Sequence, residues 1–326
     1  MTKYLVTGGS GFIGRAVVAR LIQAGHSVRV LDNNLRGASE SLPKEAELIE
    51  ADIRDAAAVE KACKGIDAVF HLAYLNGTEF FYTKPELVLE IGVKGMTNII
   101  DGCIKNSVKE IFLASSSEVY AEPEKIPTDE SASLTIPDIK NPRFSYSAGK
   151  IISESMIINF GRAHFKRAII FRPHNVYGPN MGWEHVIPQF CTRILQNEKE
   201  EFEIQGSGDE TRAFIYIDDF ADGLMRIAEN GKHLEIYNIG TMEEIKIADV
   251  AEEVANALGK KIRIIPGKKS EGSPDRRCPD TSKLQKLGFE PKISFAQGIR
   301  KTAQWYKTNL YKKPKISEQK GKIYER

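Results

Sequence analysis

Only four cysteines occur in the chain, Cys63, Cys103, Cys191 and Cys278, and no two of them form a CxxC pair. That leaves zinc and dithiol redox motifs without support, and scattered thiols suit a reducing compartment. No metal site is expected. No apolar run approaches the roughly 18 residues that a membrane-spanning helix needs. Neither sign of charge dominates: 46 Lys and Arg stand against 44 Asp and Glu, a net +2. No electrostatic footprint for nucleic acid or a membrane surface follows from that balance. Basic residues gather only at the end, where residues 313–326 read as a frayed basic tail. There is no internal repeat and no low-complexity tract. The opening MTKYLVTGG enters a strand without an apolar leader, so the expected location is the cytoplasm.

Short apolar runs alternate with longer stretches of helical period. KYLVTG, SVRVLD, AELIEAD, DAVFHLA, EIFLASS and RAIIFRP read as strands. Between them lie helical patterns at residues 12–24, in AAAVEKACKG, around 86–106 and from about 146 to 164. Strands joined by crossover helices predict an α/β fold, a doubly wound Rossmann-type parallel sheet with helices on both faces. After about residue 173 the rhythm loosens. PHNVYGPNMGWEH reads as an irregular loop, and FEIQGSGDETRAFIYIDD as strand, turn, strand. IDDFADGLMRIAEN reads as a helix returning to the first domain. The expected division is therefore 1–173 plus about 214–240 for one domain. About 174–213 plus 241–312 form a smaller α/β substrate-binding domain.

VTGGSGFIGRAVV places Gly8, Gly11 and Gly14 between the first strand and a helix that opens at Phe12 and Ile13. Glycine there permits a tight turn, approach of a pyrophosphate to backbone, and close helix–strand packing. The free N–H groups of the helix start then face the phosphates. Asp32 ends the second strand, where an acid accepts from a ribose hydroxyl and repels a 2′-phosphate. The cofactor expected is NAD, with NADP left open by the nearby Arg36. Asp52 and Ile53 follow the third strand, where an adenine ring could be met. Leu72, Ala73 and Tyr74 end the fourth, at the other end of the cofactor.

FSYSAGKIISESM puts Tyr146 and Lys150 four residues apart on one helix face. A phenol used as a base near neutrality must fall by roughly three pKa units, about 4 kcal/mol of preferential stabilisation of the phenolate. An adjacent ammonium and an oxidised nicotinamide are suitable sources.

These motifs, with HLAY, ASSSEVY, RPHNVYGP, TRAFIYIDD, YNIG and RRCPDTSKLQKLGFEP, resemble the extended short-chain dehydrogenase/reductases of the nucleotide-sugar epimerase/dehydratase family. The resemblance implies oxidation of the sugar at C4, with Tyr146 as base, Ser116 sharing its hydrogen bond, and Lys150 tuning the tyrosine. The 4-keto sugar is then reduced from its other face, epimerised beside the carbonyl, dehydrated or decarboxylated. It also implies a nucleotide-diphosphate sugar as ligand, met by Ser117, Asn175, Arg212 and Arg276, and a homodimer. Ser117 stands where the 4,6-dehydratases carry Asp, which weakens dehydration. Ser followed by Glu118 matches UDP-glucuronate decarboxylases, while simple 4-epimerases carry no acid there. Glu118 could serve as a base beside the ketone, with Glu184 or His185 as the opposing acid, or could only hydrogen-bond the sugar or a loop. The activity expected is that of an NAD-dependent nucleotide-sugar epimerase. A decarboxylase or 4,6-dehydratase is the alternative, and a non-catalytic NAD-binding sensor is the reading from another class.

Overall fold

The computed structural model describes residues 1–37, 39–268 and 274–313. Most of the expected basic tail, 314–326, lies outside the described residues. Six strands follow one another in the first half: β1 (Lys3–Thr7), β2 (Ser27–Asp32), β3 (Glu47–Glu50), β4 (Ala68–His71), β5 (Glu110–Ala114) and β6 (Arg167–Pro173). They pair in the order β6-β5-β4-β1-β2-β3, and Ile236–Ile239 adds a seventh strand beside β6. Every pairing is parallel. The chain reverses its direction of travel across the sheet between β1 and β4. Ligand crevices open at such a switch point, beyond the carboxyl ends of the strands.

Alternation along the strands builds two cores. Tyr4 and Val6 of β1 face one side with Phe70, Phe112 and Phe171, under helix α1 (Phe12–Gln23) and the helix Ile217–Asn230. Leu5 faces the other side with Val69, Ile111 and Ile170, under α2 (Ala56–Cys63) and the helices Gly95–Lys105 and Ser145–His164. A period of two with both faces buried is what crossover connections demand. Local signals place the ends. Asp55 caps α2 by accepting from Ala57 and Ala58 N–H, and Ser294 forms a capping box with Gln297.

The second half has the expected strand, turn, strand, Glu201–Ile204 followed by Thr211–Ala213, but the two strands join different sheets. Glu201–Ile204 pairs with Arg263–Pro266, whereas Thr211–Ala213 lies between Glu244–Lys246 and Arg276–Arg277 in another small sheet. The helix expected around 86–106 is broken into Pro85–Leu89, a π-helical turn Glu90–Lys94, and Gly95–Lys105. A further short helix, Thr78–Thr83, precedes it. Among the described residues no helix is long and apolar enough to cross a membrane.

One buried ion pair ties the helix Ser145–His164 to the sheet. Arg172 of β6 donates through Nε to Glu154 Oε1 at 2.9 Å and through Nη2 to Oε2 at 2.6 Å. Its Nη1 donates to the Tyr120 hydroxyl at 2.7 Å, and Tyr120 donates in turn to Asn238 Oδ1 at 2.8 Å. Removing one partner of a buried pair strands the other charge. Glu154→Ala is expected to cost about 3–5 kcal/mol in urea unfolding, far more than the exposed Glu229→Ala of the Arg226 pair.

Candidate active site

Four elements bring the site residues together beyond the carboxyl end of β5. After Ala114 the chain passes Ser115 and Ser116 and turns through a 3-10 helix, Ser117–Tyr120. Ser116 caps that turn, its Oγ accepting from Glu118 N–H at 3.2 Å. Tyr146 stands on the first turn of the helix Ser145–His164, near enough for the Ser116 hydroxyl to pull its phenol pKa down. One turn later Lys150 donates to the Ala114 carbonyl at 2.6 Å. Tyr146 and Lys150 are both buried. Phe81 stacks on the Tyr146 ring, with centroids 5.1 Å apart.

Burial opposes charge on both groups. It pushes the Tyr146 phenol up, and Glu118 adds to the rise, while the Ser116 hydrogen bond and Arg36 pull it down. Burial also brings the Lys150 ammonium down to about 7, against the pull of Glu154. Each group therefore needs charge from a neighbour to become the phenolate and ammonium of base catalysis.

Glu118 does not stand free. Arg277 donates to its Oε1 at 2.5 Å, and Arg143 Nη2 lies 4.0 Å from Oε2. Burial would raise its carboxyl, but Arg277, Arg143 and Arg212 hold it below the usual carboxylate range. Arg212 pairs in register with Arg277 and donates to the carbonyls of Pro274 and Asp275. Opposite them, Arg36 donates to the Asn76 carbonyl, lies 3.5 Å from Glu184 and stacks over Phe80. Burial, with Arg36 nearby, brings His185 down to about 4, so the imidazole is neutral near pH 7.

The glycine loop has the shape of a phosphate cradle. A Cβ on Gly14 would fall 2.1 Å from the Gly8 carbonyl oxygen, and one on Gly8 would lie 2.8 Å from the Ala73 backbone. Gly8 also takes φ +71°, a conformation in which a side chain is strained. Gly11 caps α1 in extended backbone, so the N–H groups of Phe12 and Ile13 open the helix. Asp32 accepts from Ser10 N–H at 3.0 Å and Asn34 N–H at 2.8 Å, which fixes its carboxylate at the end of β2. Thr7 Oγ1, 2.8 Å from His71 Nδ1, accepts from Leu72 and Ala73 N–H and joins β1 to the end of β4. A cradle without side chains, a helix start and a fixed acid suit a dinucleotide with a free ribose diol.

The family model for the NAD dependent epimerase/dehydratase family matches residues 4–240. The chain belongs to that family. It is 33% identical over 310 residues to a putative UDP-glucose 4-epimerase of Methanocaldococcus jannaschii, covering 94% of this chain and 98% of that one. It is 31% identical over 319 residues to a UDP-N-acetyl-alpha-D-glucosaminuronate decarboxylase of Bacillus cytotoxicus, again covering 94% and 98%. Among solved structures it resembles the UDP-glucose 4-epimerase of Thermus thermophilus in complex with NAD. There the TM-score is 0.84 at 29% identity, covering 94% of this chain and 99% of that one. The protein is thus an NAD-dependent enzyme of the epimerase, dehydratase and decarboxylase group.

Within this epimerase/dehydratase, the residues expected at the site fall into two sets. Ser116, Ser117, Glu118, Tyr146, Lys150 and Arg212 converge. Arg276 does not join them: it faces Glu244 with bonds of 3.0 and 2.6 Å, while its neighbour Arg277 turns inward to Glu118. Successive strand residues point to opposite faces, so only the register reveals which arginine enters. Asn175 donates to the Ala213 carbonyl at 2.9 Å and ties the loop after β6 to the strand Thr211–Ala213. Asp52 is clasped by Arg54 and Asn33, and Ile53 packs where a Cβ on Gly95 would fall 2.4 Å from it. Arg36 is committed to Asn76, Glu184 and Phe80. Arg277 and Arg143 were not singled out from the sequence.

Gly14→Ala is expected to abolish NAD retention, read as nucleotide released on acid denaturation of the purified protein. The lowered Lys150 also predicts a pH signature in NAD-free protein. Between about pH 7 and pH 10 the unfolded chain holds a proton that folded Lys150 lacks, so stability rises with pH. Above that window Tyr146, held up in the folded state, reverses the slope. Lys150→Met should flatten the rise between pH 7 and 10 in urea unfolding. An unchanged slope would mean that Lys150 stays charged when folded.

Proposed function

We propose that the protein is a nucleotide-sugar epimerase that oxidises its substrate transiently at C4 and returns it with inverted configuration. Tyr146 takes the C4 hydroxyl proton and later gives one back to the ketone oxygen. Ser116 donates to the phenolate and shares the bond to the substrate oxygen. Lys150, as ammonium, stabilises the phenolate. The chemistry NAD supplies when bound is reversible hydride uptake at C4. Arg212, Asn175 and Ser117 are the proposed contacts to the nucleotide sugar, and the substrate class is a nucleoside-diphosphate sugar.

The observation that carries this reading is the commitment of Glu118 to Arg277 and Arg143. A carboxylate held below its usual range by guanidinium partners is a weak acceptor for a proton on carbon. Inversion at C4 needs no such base, because the ketone is reduced on the face opposite to the one oxidised. Dehydration and 3,5-epimerisation both require one. Homodimerisation is proposed as well. Ile152 and Phe160, exposed on the helix Ser145–His164, support it.

A specific feature favours decarboxylation as the second reading. Arg277 and Arg143 both face the carboxylate of Glu118, two guanidinium groups to one anion. A uronate would bring a matching carboxylate, and a 4-keto uronate loses carbon dioxide without a base at carbon.

Incubation with UDP-, GDP-, dTDP- and CDP-sugars, neutral and uronate, in heavy water separates the cases by NMR and mass. The epimerase reading expects the C4 epimer without deuterium on carbon. Loss of carbon dioxide from a uronate would select the decarboxylase instead. Deuterium at C3 or C5 with the carboxylate retained would restore Glu118 as a carbon base. Tyr146→Phe should lower kcat by roughly 10²–10⁴-fold in the turning-over case.

A further inference from the structure

Tyr74 follows HLA at the end of β4, and the reactions discussed above assign it no role. Its ring face lies 4.0 Å from Lys150 Nζ, and its ring meets Tyr146 edge-on at 5.0 Å and 81°. Its hydroxyl is buried and has no hydrogen-bond partner among the described residues. Leaving a hydroxyl unpaired in the interior is unfavourable, so packing alone would be better served by phenylalanine or leucine.

The surroundings are shaped to admit this ring. A Cβ on Gly92 would fall 2.1 Å from the Tyr74 hydroxyl oxygen, and one on Gly149 would fall 2.0 Å from it. Gly92 lies in the π-helical turn Glu90–Lys94, a local departure from the regular helix. Gly149 lies between Tyr146 and Lys150 on the catalytic helix. Two helices thus give up side chains to seat one aromatic ring against the ammonium.

An ammonium has three donors. In this structure Lys150 gives one to the Ala114 carbonyl and presents its charge to the Tyr74 face. An aromatic face attracts a cation, and the attraction strengthens when water is excluded. The ring therefore supports the charged form of Lys150 where burial opposes it, and a charged Lys150 favours the Tyr146 phenolate.

We propose that Tyr74 is a positioning residue whose ring face holds Lys150 as an ammonium beside Tyr146 while its edge, with Phe81 stacked on the ring, fixes the phenol. The proposal rests on the roles given above to Tyr146 and Lys150. It concerns the ring and not the hydroxyl.

The test compares Tyr74→Phe, Tyr74→Leu and Tyr146→Phe in the NAD-loaded full chain. It measures kcat, KM, the pH dependence of kcat/KM, bound NAD and melting temperature. Tyr74→Phe keeps the ring and is expected to stay within about twofold of the parent in kcat, with the same acidic limb and a higher melting temperature. Tyr74→Leu is expected to retain NAD, lose about tenfold in kcat with little change in KM, and move the acidic limb to higher pH. If Tyr74→Leu melts below the assay temperature, Tyr74→Met takes its place with the same expectation. Phe and Leu variants with one common pH profile and kcat would overturn the proposal, whether both match the parent or both fall. Retained turnover in Tyr146→Phe would instead overturn the assignment of the base itself, a separate outcome.

Discussion

The buried pair between Arg172 and Glu154 is the constraint on which the site depends. Glu154 lies one turn beyond Lys150 and two beyond Tyr146, on the same face of one helix. Arg172 grips it from β6 with two bonds and reaches Tyr120 with a third. Tyr120 closes the 3-10 turn that carries Ser117 and Glu118 and is capped by Ser116. One guanidinium therefore registers the helix bearing the tyrosine against the turn bearing its serine partner. Both are anchored to the sheet strand from which the second half of the chain departs. A planar fork with fixed donor directions suits this task better than the compact, freely rotating ammonium of a lysine.

Around that frame, burial and cations contend for the charge state of each functional group. Tyr146 is pushed toward the neutral phenol and Lys150 toward the neutral amine, because neither has water to stabilise its charge. Glu118 shows the opposite result under the same burial, since three arginines outweigh desolvation. The arrangement keeps one anion permanently charged and leaves the base pair poised for the charge that a ligand brings.

The two halves of the chain meet through short polar bridges. Arg15 reaches from α1 to the Asn180 carbonyl at 3.1 Å, and Arg277 to Glu118. Trp183 stacks edge-on with Tyr306 at 4.8 Å and seats the irregular loop after β6 against the last long helix. These contacts join the early strands and helices to the later part of the chain.

Much of this was legible without coordinates. The strand ends, the glycine loop with Asp32, and the spacing of Tyr146 and Lys150 are local patterns, set by steric rules that act over a few residues. The parallel sheet followed from strands alternating with crossover helices. What escaped was long-range or depended on parity. Arg276 and Arg277 are adjacent, and which one enters the site depends on the register of a two-residue strand against Thr211–Ala213. Arg36 is near Asp32 in sequence, yet its partners, Asn76 and Glu184, come from distant loops. Glu118 could be read as a base from the family resemblance of the turn in which it follows three serines. Its ion pair spans 159 residues, a contact no local pattern encodes. Backbone chemistry and spacing thus sufficed for the fold and for placing Tyr146 and Lys150 on one helix face. Folding alone decided which charges face each other, because electrostatic partnership depends on distance in space and not along the chain.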